Sequence, residues 1–328
     1  MSKQQGLLLC GHGSRDPEGT AAFRELVAGV QTRHPDIIVD YGFLEFAHPV
    51  YAAAVERMYQ KGVRQIIALP VLLFAGGHAK NDIPYELNTL QRQYPDLTIS
   101  MGHHLGITPA LLQLSKKIIE AAEVAPAASA PNPDIAGPAI AALLPLRANA
   151  CLLVVGRGTA DPDANSDVAK LARLLGEGLG FGFATTAFIG VTTPSLKDAL
   201  PLVERLPFQR VIVLPVFLFT GVLLKRIYQQ VEEHRTGSEK EYRCTTSYGN
   251  DALLLDAIDA RFEEAKLGNT AMNCQLCKYR EQIVGFEQDA GAVQVGHHLN
   301  VKGILFEEED KPGQSAGLLP VLKKILGI

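Results

Sequence analysis

Short apolar runs and longer amphipathic segments alternate along residues 6–122. The runs at Leu7–Cys10, Ile37–Phe43, Gln65–Leu69 and Leu97–Met101 are long enough for buried strands and too short for helices. Between and after them, apolar positions recur at helical spacing over roughly 18–33, 50–61, 80–93 and 109–122. Strand and helix in regular alternation predict a parallel sheet with helices on both faces.

The pattern then lapses and restarts. Val124–Pro133 is rich in Pro, Ala and Ser, follows neither period, and reads as an exposed linker. Beyond it, Gly156-Arg157-Gly158-Thr159-Ala160-Asp161-Pro162 repeats the form of Gly11-His12-Gly13-Ser14-Arg15-Asp16-Pro17, offset by 145 positions (156 minus 11). The same offset relates Leu214-Pro215-Val216 to Leu69-Pro70-Val71, and Phe188 and Pro194 to Phe43 and Pro49. An unbroken offset across separate motifs marks an internal duplication. The expected architecture is α/β: two duplicated lobes, each a mainly parallel four-stranded sheet flanked by helices, with a central cleft. The divisions are a first lobe over 1–123, a Pro/Ala-rich linker over 124–140, a second lobe over 141–266 and an extension over 267–328.

The duplication serves as an internal control. Glycines and prolines that shape the backbone persist in both copies. His12, Glu45 and His78 do not: their counterparts are Arg157, Gly190 and Leu223. Each of the three follows one of the first three predicted strands. In an open parallel sheet, the carboxyl ends of the strands lie at one edge, where ligands bind. Two imidazoles and a carboxylate brought together there suit a first-row divalent metal such as Co, Ni, Fe or Zn, in a shell left open for exchange. The same histidines suit general base work, since imidazole titrates near neutrality. His103 and His104 follow the fourth strand and are placed to reach the same cleft. Arg15 and Lys80 flank the site as candidate contacts for an anionic substrate, and Arg157 offers one from the second lobe.

Composition narrows the field. The 328 residues are 47% hydrophobic and 20% charged, with a formal net charge of −4, which gives no general attraction to nucleic acid or anionic membrane. No apolar run approaches the length of a membrane span. The first residues lead into a strand rather than a signal peptide, and the scattered cysteines suit a reducing compartment, so a cytoplasmic location is expected. Gly11-His12-Gly13-Ser14 lacks the further glycine of a dinucleotide fingerprint and the lysine of a phosphate loop.

Gly11-His12-Gly13-Ser14-Arg15, Phe43-Leu44-Glu45-Phe46-Ala47-His48-Pro49 and Gly76-Gly77-His78 with Asp82-Ile83-Pro84 resemble the class II tetrapyrrole chelatases, and within them the sirohydrochlorin chelatases. The resemblance covers about residues 6–266. It implies ATP-independent insertion of a divalent metal into sirohydrochlorin, in a cleft between two lobes of which one keeps the histidines. By that resemblance His12 and His78 bind the metal and take the pyrrole protons, and Glu45 is a proton acceptor or third ligand. Arg15, Arg157 and His103 are the expected substrate contacts. Co2+ is the expected metal, with Fe2+ and Ni2+ open. The nearest alternative is the ferrochelatase reaction of siroheme synthesis, and an alternative of another class is a non-catalytic metal carrier. The expected partners are sirohydrochlorin and the metal, with no nucleic acid and no membrane. The expected state is a monomer, or a dimer formed through the extension.

The extension carries Met272-Asn273-Cys274-Gln275-Leu276-Cys277 and, further on, His297-His298. A Cys-x-x-Cys is a thiol pair, a metal clip or part of a cluster site. The segment resembles the extension of long sirohydrochlorin cobaltochelatases, which implies an iron–sulfur cluster at Cys274 and Cys277. Two thiolates leave the usual four-thiolate shell incomplete, so other ligands are needed.

Overall fold

The computed structural model describes residues 4–124 and 146–270, with 284–285, 287–289, 292–293, 295–296 and 302. Most of the linker, the Cys274–Cys277 pair and His297-His298 lie outside the described residues.

The first lobe runs β1 (Gln4–Gly11), α1 (Pro17–Arg33), β2 (Ile38–Phe43), α2 (Tyr51–Gln60), β3 (Val63–Pro70), α3 (Ile83–Gln93), β4 (Thr98–Met101) and α4 (Pro109–Val124). The second repeats it as β5 (Ala150–Gly156), α5 (Pro162–Leu179), β6 (Phe183–Phe188), α6 (Leu196–Glu204), β7 (Arg210–Pro215), α7 (Val222–Arg235), β8 (Glu241–Cys244) and α8 (Ala252–Lys266). Both sheets are four-stranded and parallel, in the equivalent orders β2-β1-β3-β4 and β6-β5-β7-β8. The central strand explains its own sequence. Leu7, Leu8, Leu9 and Cys10 are each fully buried, because helices cover both faces and no position is left for a polar residue.

The helices begin where local chemistry dictates. Asp16 caps α1 by accepting a hydrogen bond from Glu18 N, and Pro17 occupies the first turn, where a missing N–H costs nothing. Asp161 and Pro162 do the same for α5. The segment expected as one helix over 80–93 is divided: His78–Asp82 forms a single wide π turn, and α3 proper begins at Ile83 with Pro84 in its first turn. π turns of this kind cluster at functional sites.

The lobes share one core. Leu7, Leu9 and Leu69 of the first sheet and Leu152, Val154 and Leu214 of the second belong to a single buried cluster, while the outer face of each sheet has a core of its own. The shared core arises from an exchange that the sequence pattern did not reveal. Helix α4, last of the first lobe, packs against β7 and β8 of the second. Helix α8, last of the second, packs against β3 of the first. Side chains tie the exchange in place: Ser115 Oγ and Tyr248 OH are 3.0 Å apart, and the buried Arg147 donates to Glu123 of α4 at 2.8 and 2.7 Å.

Candidate metal centre at one edge of the first sheet

Register brings three loops together. Gly11 of β1 pairs with Phe43 of β2, and Cys10 pairs with Pro70 of β3, so the strands end level. His12 directly follows β1, Glu45 lies two residues past β2, and His78 opens the π turn after β3. The end of β1 is pinned from below, where the buried Tyr51 donates its hydroxyl to Gly11 O at 2.8 Å. Glu45 N donates to His12 O at 3.0 Å, lacing the first two loops together. Gly13 makes this approach feasible: its φ is +97°, and a Cβ there would stand 1.8 Å from Glu45 O. The next residue, Phe46, is held at φ 61°, a conformation that non-glycine residues seldom adopt.

One donor atom each from His12, Glu45 and His78 lies within 4.8 Å of the others, the only such group among the described residues. Glu45 Oε1 is 3.1 Å from His12 Nε2 and 4.0 Å from His78 Nε2, and the two imidazoles meet edge to face with centroids 4.6 Å apart. Both rings are anchored by the opposite nitrogen. His12 Nδ1–H donates to Gly13 O at 2.9 Å, and His78 Nδ1–H donates to Asp82 Oδ2 at 2.9 Å. Each histidine therefore presents a bare Nε2 to the centre, the tautomer a metal ligand requires. Among the described residues, His12 Nε2 is buried with no hydrogen-bond partner. A bare lone pair facing a carboxylate oxygen at 3.1 Å is repulsive until a cation stands between them.

The electrostatics favour a metal over a proton. Burial pushes His12 below the usual imidazole value; Glu45 opposes this, while the neighbouring His78 and Arg157 add to it. Burial pushes the Glu45 carboxyl up, but His12, His78 and Arg157 together hold it net below the usual range. His12 is thus set toward the neutral imidazole and Glu45 toward the ionised carboxylate, the forms that bind a divalent cation.

The remaining expected residues are placed as follows. Arg157 is exposed on the opposite lobe, near enough for its charge to act on His12 and Glu45. Arg15 lies over the Phe46 ring, 4.7 Å from its centroid. It lines a cavity of about 750 Å3 together with Asp16, Pro17 and Glu18 of the first lobe and Val222, Lys225, Arg226 and Gln229 of the second. None of the three donors lines that cavity. His103 is not among the converging donors. Lys80 departs from expectation most clearly. It is buried, and its ammonium is held by Asp161 and Asp163 of the second lobe at 2.7 Å each, so it acts as an interlobe tie rather than a substrate contact. Asp82, which orients His78, was not singled out as a site residue, although the His78-x-x-x-Asp82 spacing places the two on one helical face.

The CbiX family model matches residues 6–122 and 151–265, the two lobes in turn. The chain belongs to the CbiX family. A relative, the sirohydrochlorin cobaltochelatase of Priestia megaterium, is 32% identical over 282 residues, covering 85% of this chain and 86% of its own. The sirohydrochlorin ferrochelatase of the same organism is 27% identical over 234 residues, covering 71% of this chain and 80% of its own. Among solved structures, SirB from Bacillus subtilis with Fe3+ superposes with a TM-score of 0.68 at 25% identity, covering 82% of this chain and 99% of that one. The CbiX match stops before the extension. Among the described residues, no helix is long and apolar enough to cross a membrane.

Proposed function

We propose that this chain inserts a divalent metal, Co2+ in the first place, into sirohydrochlorin without ATP, with His12, Glu45 and His78 as the reacting groups. The observation that carries the reading is the bare, buried His12 Nε2 directed at Glu45 Oε1. The cobaltochelatase relative, similar over most of both chains, supports cobalt as the metal.

Insertion exchanges one metal ion for two pyrrole N–H protons. The two Nε2 atoms and the Glu45 carboxylate form an open donor set that holds the ion and releases it to better ligands. As the metal leaves, the same lone pairs become free to take the protons, so one set of groups performs delivery and deprotonation in sequence. The ring must bend to turn its nitrogens outward, and binding of its remote carboxylates can supply that energy. Arg157 of the second lobe and Arg15, which lies over Phe46 and lines the interlobe cavity, are the proposed carboxylate contacts, with His103 on the loop after β4.

The ferrochelatase relative supports Fe2+ as a second metal, because an imidazole–carboxylate set accepts both ions and supply decides between them. The Cys274–Cys277 pair is proposed as part of an iron–sulfur site, checked by iron and sulfide content of anaerobic protein with and without Cys274→Ser. A cytoplasmic location belongs to the same reading. The deciding experiment is an anaerobic assay of sirohydrochlorin with Co2+ or Fe2+, followed spectrally. Activity in the wild type and its loss in His12→Ala and His78→Ala support the reading, and equal rates in all three proteins overturn it.

A further inference from the structure

The extension touches the first lobe at a particular place. Val295 N donates to Asn81 Oδ1 at 2.9 Å, and Asn81 Nδ2 donates back to Val295 O at 2.5 Å. A few residues on, the Lys302 ammonium meets the buried carboxylate of Glu86. Asn81 lies inside the π turn that His78 opens, and it is fully buried.

The contact continues inward. Asn81 Nδ2 also donates to Asp82 Oδ1 at 2.8 Å, and Asp82 Oδ2 accepts from His78 Nδ1 at 2.9 Å. An unbroken chain of hydrogen bonds thus runs from the backbone of Val295 to the ring of His78. A buried amide left without partners costs about 1–3 kcal/mol, so Asn81 keeps this orientation because the extension satisfies it. The second lobe again serves as a control. The counterparts of His78, Asn81, Asp82 and Glu86 are Leu223, Arg226, Ile227 and Val231. The receptor for the extension exists only in the lobe that carries the ligand histidine.

We propose that the C-terminal extension positions His78. The Val295 backbone grips Asn81, Asn81 aims the Asp82 carboxylate, and Asp82 fixes the tautomer and angle of the ring. Val295 and Asn81 are positioning residues, because each acts on His78 only through Asp82. The inference rests on the chelatase reading for its consequence in catalysis, but not for its effect on metal binding at His78.

The test uses the full-length chain and Co2+ alone, read by its visible d–d absorption and by titration calorimetry. The signal of the His78→Ala protein is subtracted, so that only the site at His78 is counted. Val295→Pro removes the backbone donor, whereas Val295→Ala keeps it. The expected result is a roughly tenfold weaker Co2+ affinity and a shifted d–d band in Val295→Pro, with Val295→Ala within twofold of wild type. Asn81→Ala shows the same loss, and the Asn81→Ala, Val295→Pro double variant loses no more than either single one. Lys302→Ala, which loosens the same segment from its other anchor, moves affinity in the same direction by a smaller factor, and it carries the test should Val295→Pro fold poorly. Wild-type affinity and band position in both Val295→Pro and Lys302→Ala overturn the inference. A wild-type chain that binds Co2+ at His78 but leaves sirohydrochlorin unmetallated overturns the proposed function instead.

Discussion

Lys80 and Lys225 make the same contact in opposite directions. Lys80 reaches from the first lobe to Asp161 and Asp163 at the start of α5, and Lys225 reaches from the second to Asp16 and Glu18 at the start of α1, at 2.9 and 3.0 Å. The two lysines are 145 positions apart (225 minus 80), as are the acids they meet, so the interlobe contact has the reciprocity of a two-fold interface. In each case the lysine binds the very carboxylate that caps the opposing helix.

The two ties differ in burial, and so in consequence. The Lys80 side chain is 11% exposed, against 52% for Lys225. Removing one partner of a buried pair strands a charge, which costs about 3–5 kcal/mol, whereas an exposed pair is worth about 0–1 kcal/mol. Lys80→Ala is therefore expected to lose several kcal/mol in urea unfolding and to weaken Co2+ binding, because Lys80 shares the π turn of His78. Lys225→Ala should unfold at close to the wild-type urea midpoint. Equal losses in the two variants would show that burial does not set their contributions.

Replacing donors at the metal centre separates ion binding from proton transfer. Glu45→Gln keeps the shape but removes the negative charge between the two Nε2 atoms. We expect Co2+ to bind at least tenfold more weakly and insertion to slow by a factor of about 10²–10⁴. His12→Ala should do the same and also abolish the repulsion between lone pair and carboxylate, so its thermal stability without metal should equal or exceed that of wild type. A lower melting temperature for metal-free His12→Ala would count against a site strained toward a cation.

Gly13 offers a test of how the loops are held. A methyl group there meets Glu45 O at 1.8 Å in a backbone conformation that L residues avoid. Gly13→Ala should cost about 3 kcal/mol or more in stability and uncouple His12 from Glu45. Chemical unfolding together with Co2+ titration checks both effects. Gly190, the counterpart of Glu45, shows the same crowding in mirror roles: its Cβ would stand 2.4 Å from Arg157 O. The loss of the carboxylate in the second lobe thus has a packing reason as well as a functional one.

The legible parts of the sequence were those whose cause is local or repeated. Leu7–Cys10 reads as a buried strand because both of its faces are covered, and Asp16-Pro17 reads as a helix start because a cap and a proline act within one turn. His12, Glu45 and His78 stood out only because a second copy lacks them. What stayed hidden depends on contacts distant along the chain. The partners of Lys80 lie in the other lobe, so it resembled a loose basic residue beside a cleft. The exchange of α4 and α8 leaves no trace in periodicity, since an amphipathic helix buries its apolar stripe equally well on either sheet. The π turn escaped because Lys80 and Asn81 continue the helical pattern smoothly into α3.

The charge of Arg157 reaches the metal centre from the second lobe and should act oppositely on the two substrates. Its positive charge pushes His12 toward the neutral form, yet it also repels a divalent ion. If it holds a carboxylate of the macrocycle, Arg157→Ala should raise KM for sirohydrochlorin several-fold while tightening Co2+ binding about two- to threefold. Steady-state kinetics and titration of metal alone resolve the two. An unchanged KM would remove Arg157 from the substrate contacts.

His104 makes stability depend on pH. It lies on the loop after β4 near Arg261 of α8, and burial, reinforced by that guanidinium, lowers it from the ordinary 6.5 to about 4. The unfolded chain therefore binds the proton more tightly than the folded one. Stability from the neutral ring is fully present above pH 6.5, is lost progressively as pH falls toward about 4, and changes no further below that. Because Arg261 also donates to Leu105 O at 2.8 Å, charging His104 sets two cations against each other where α8 of the second lobe meets the first. Replacing the ring by an uncharged amide removes this one contribution and leaves the background from carboxylates intact. In urea unfolding, the drop in stability from pH 7 to pH 4.5 should be smaller in His104→Gln than in wild type by about 2 kcal/mol. Identical drops in the two proteins would mean that His104 titrates alike in the folded and unfolded chain.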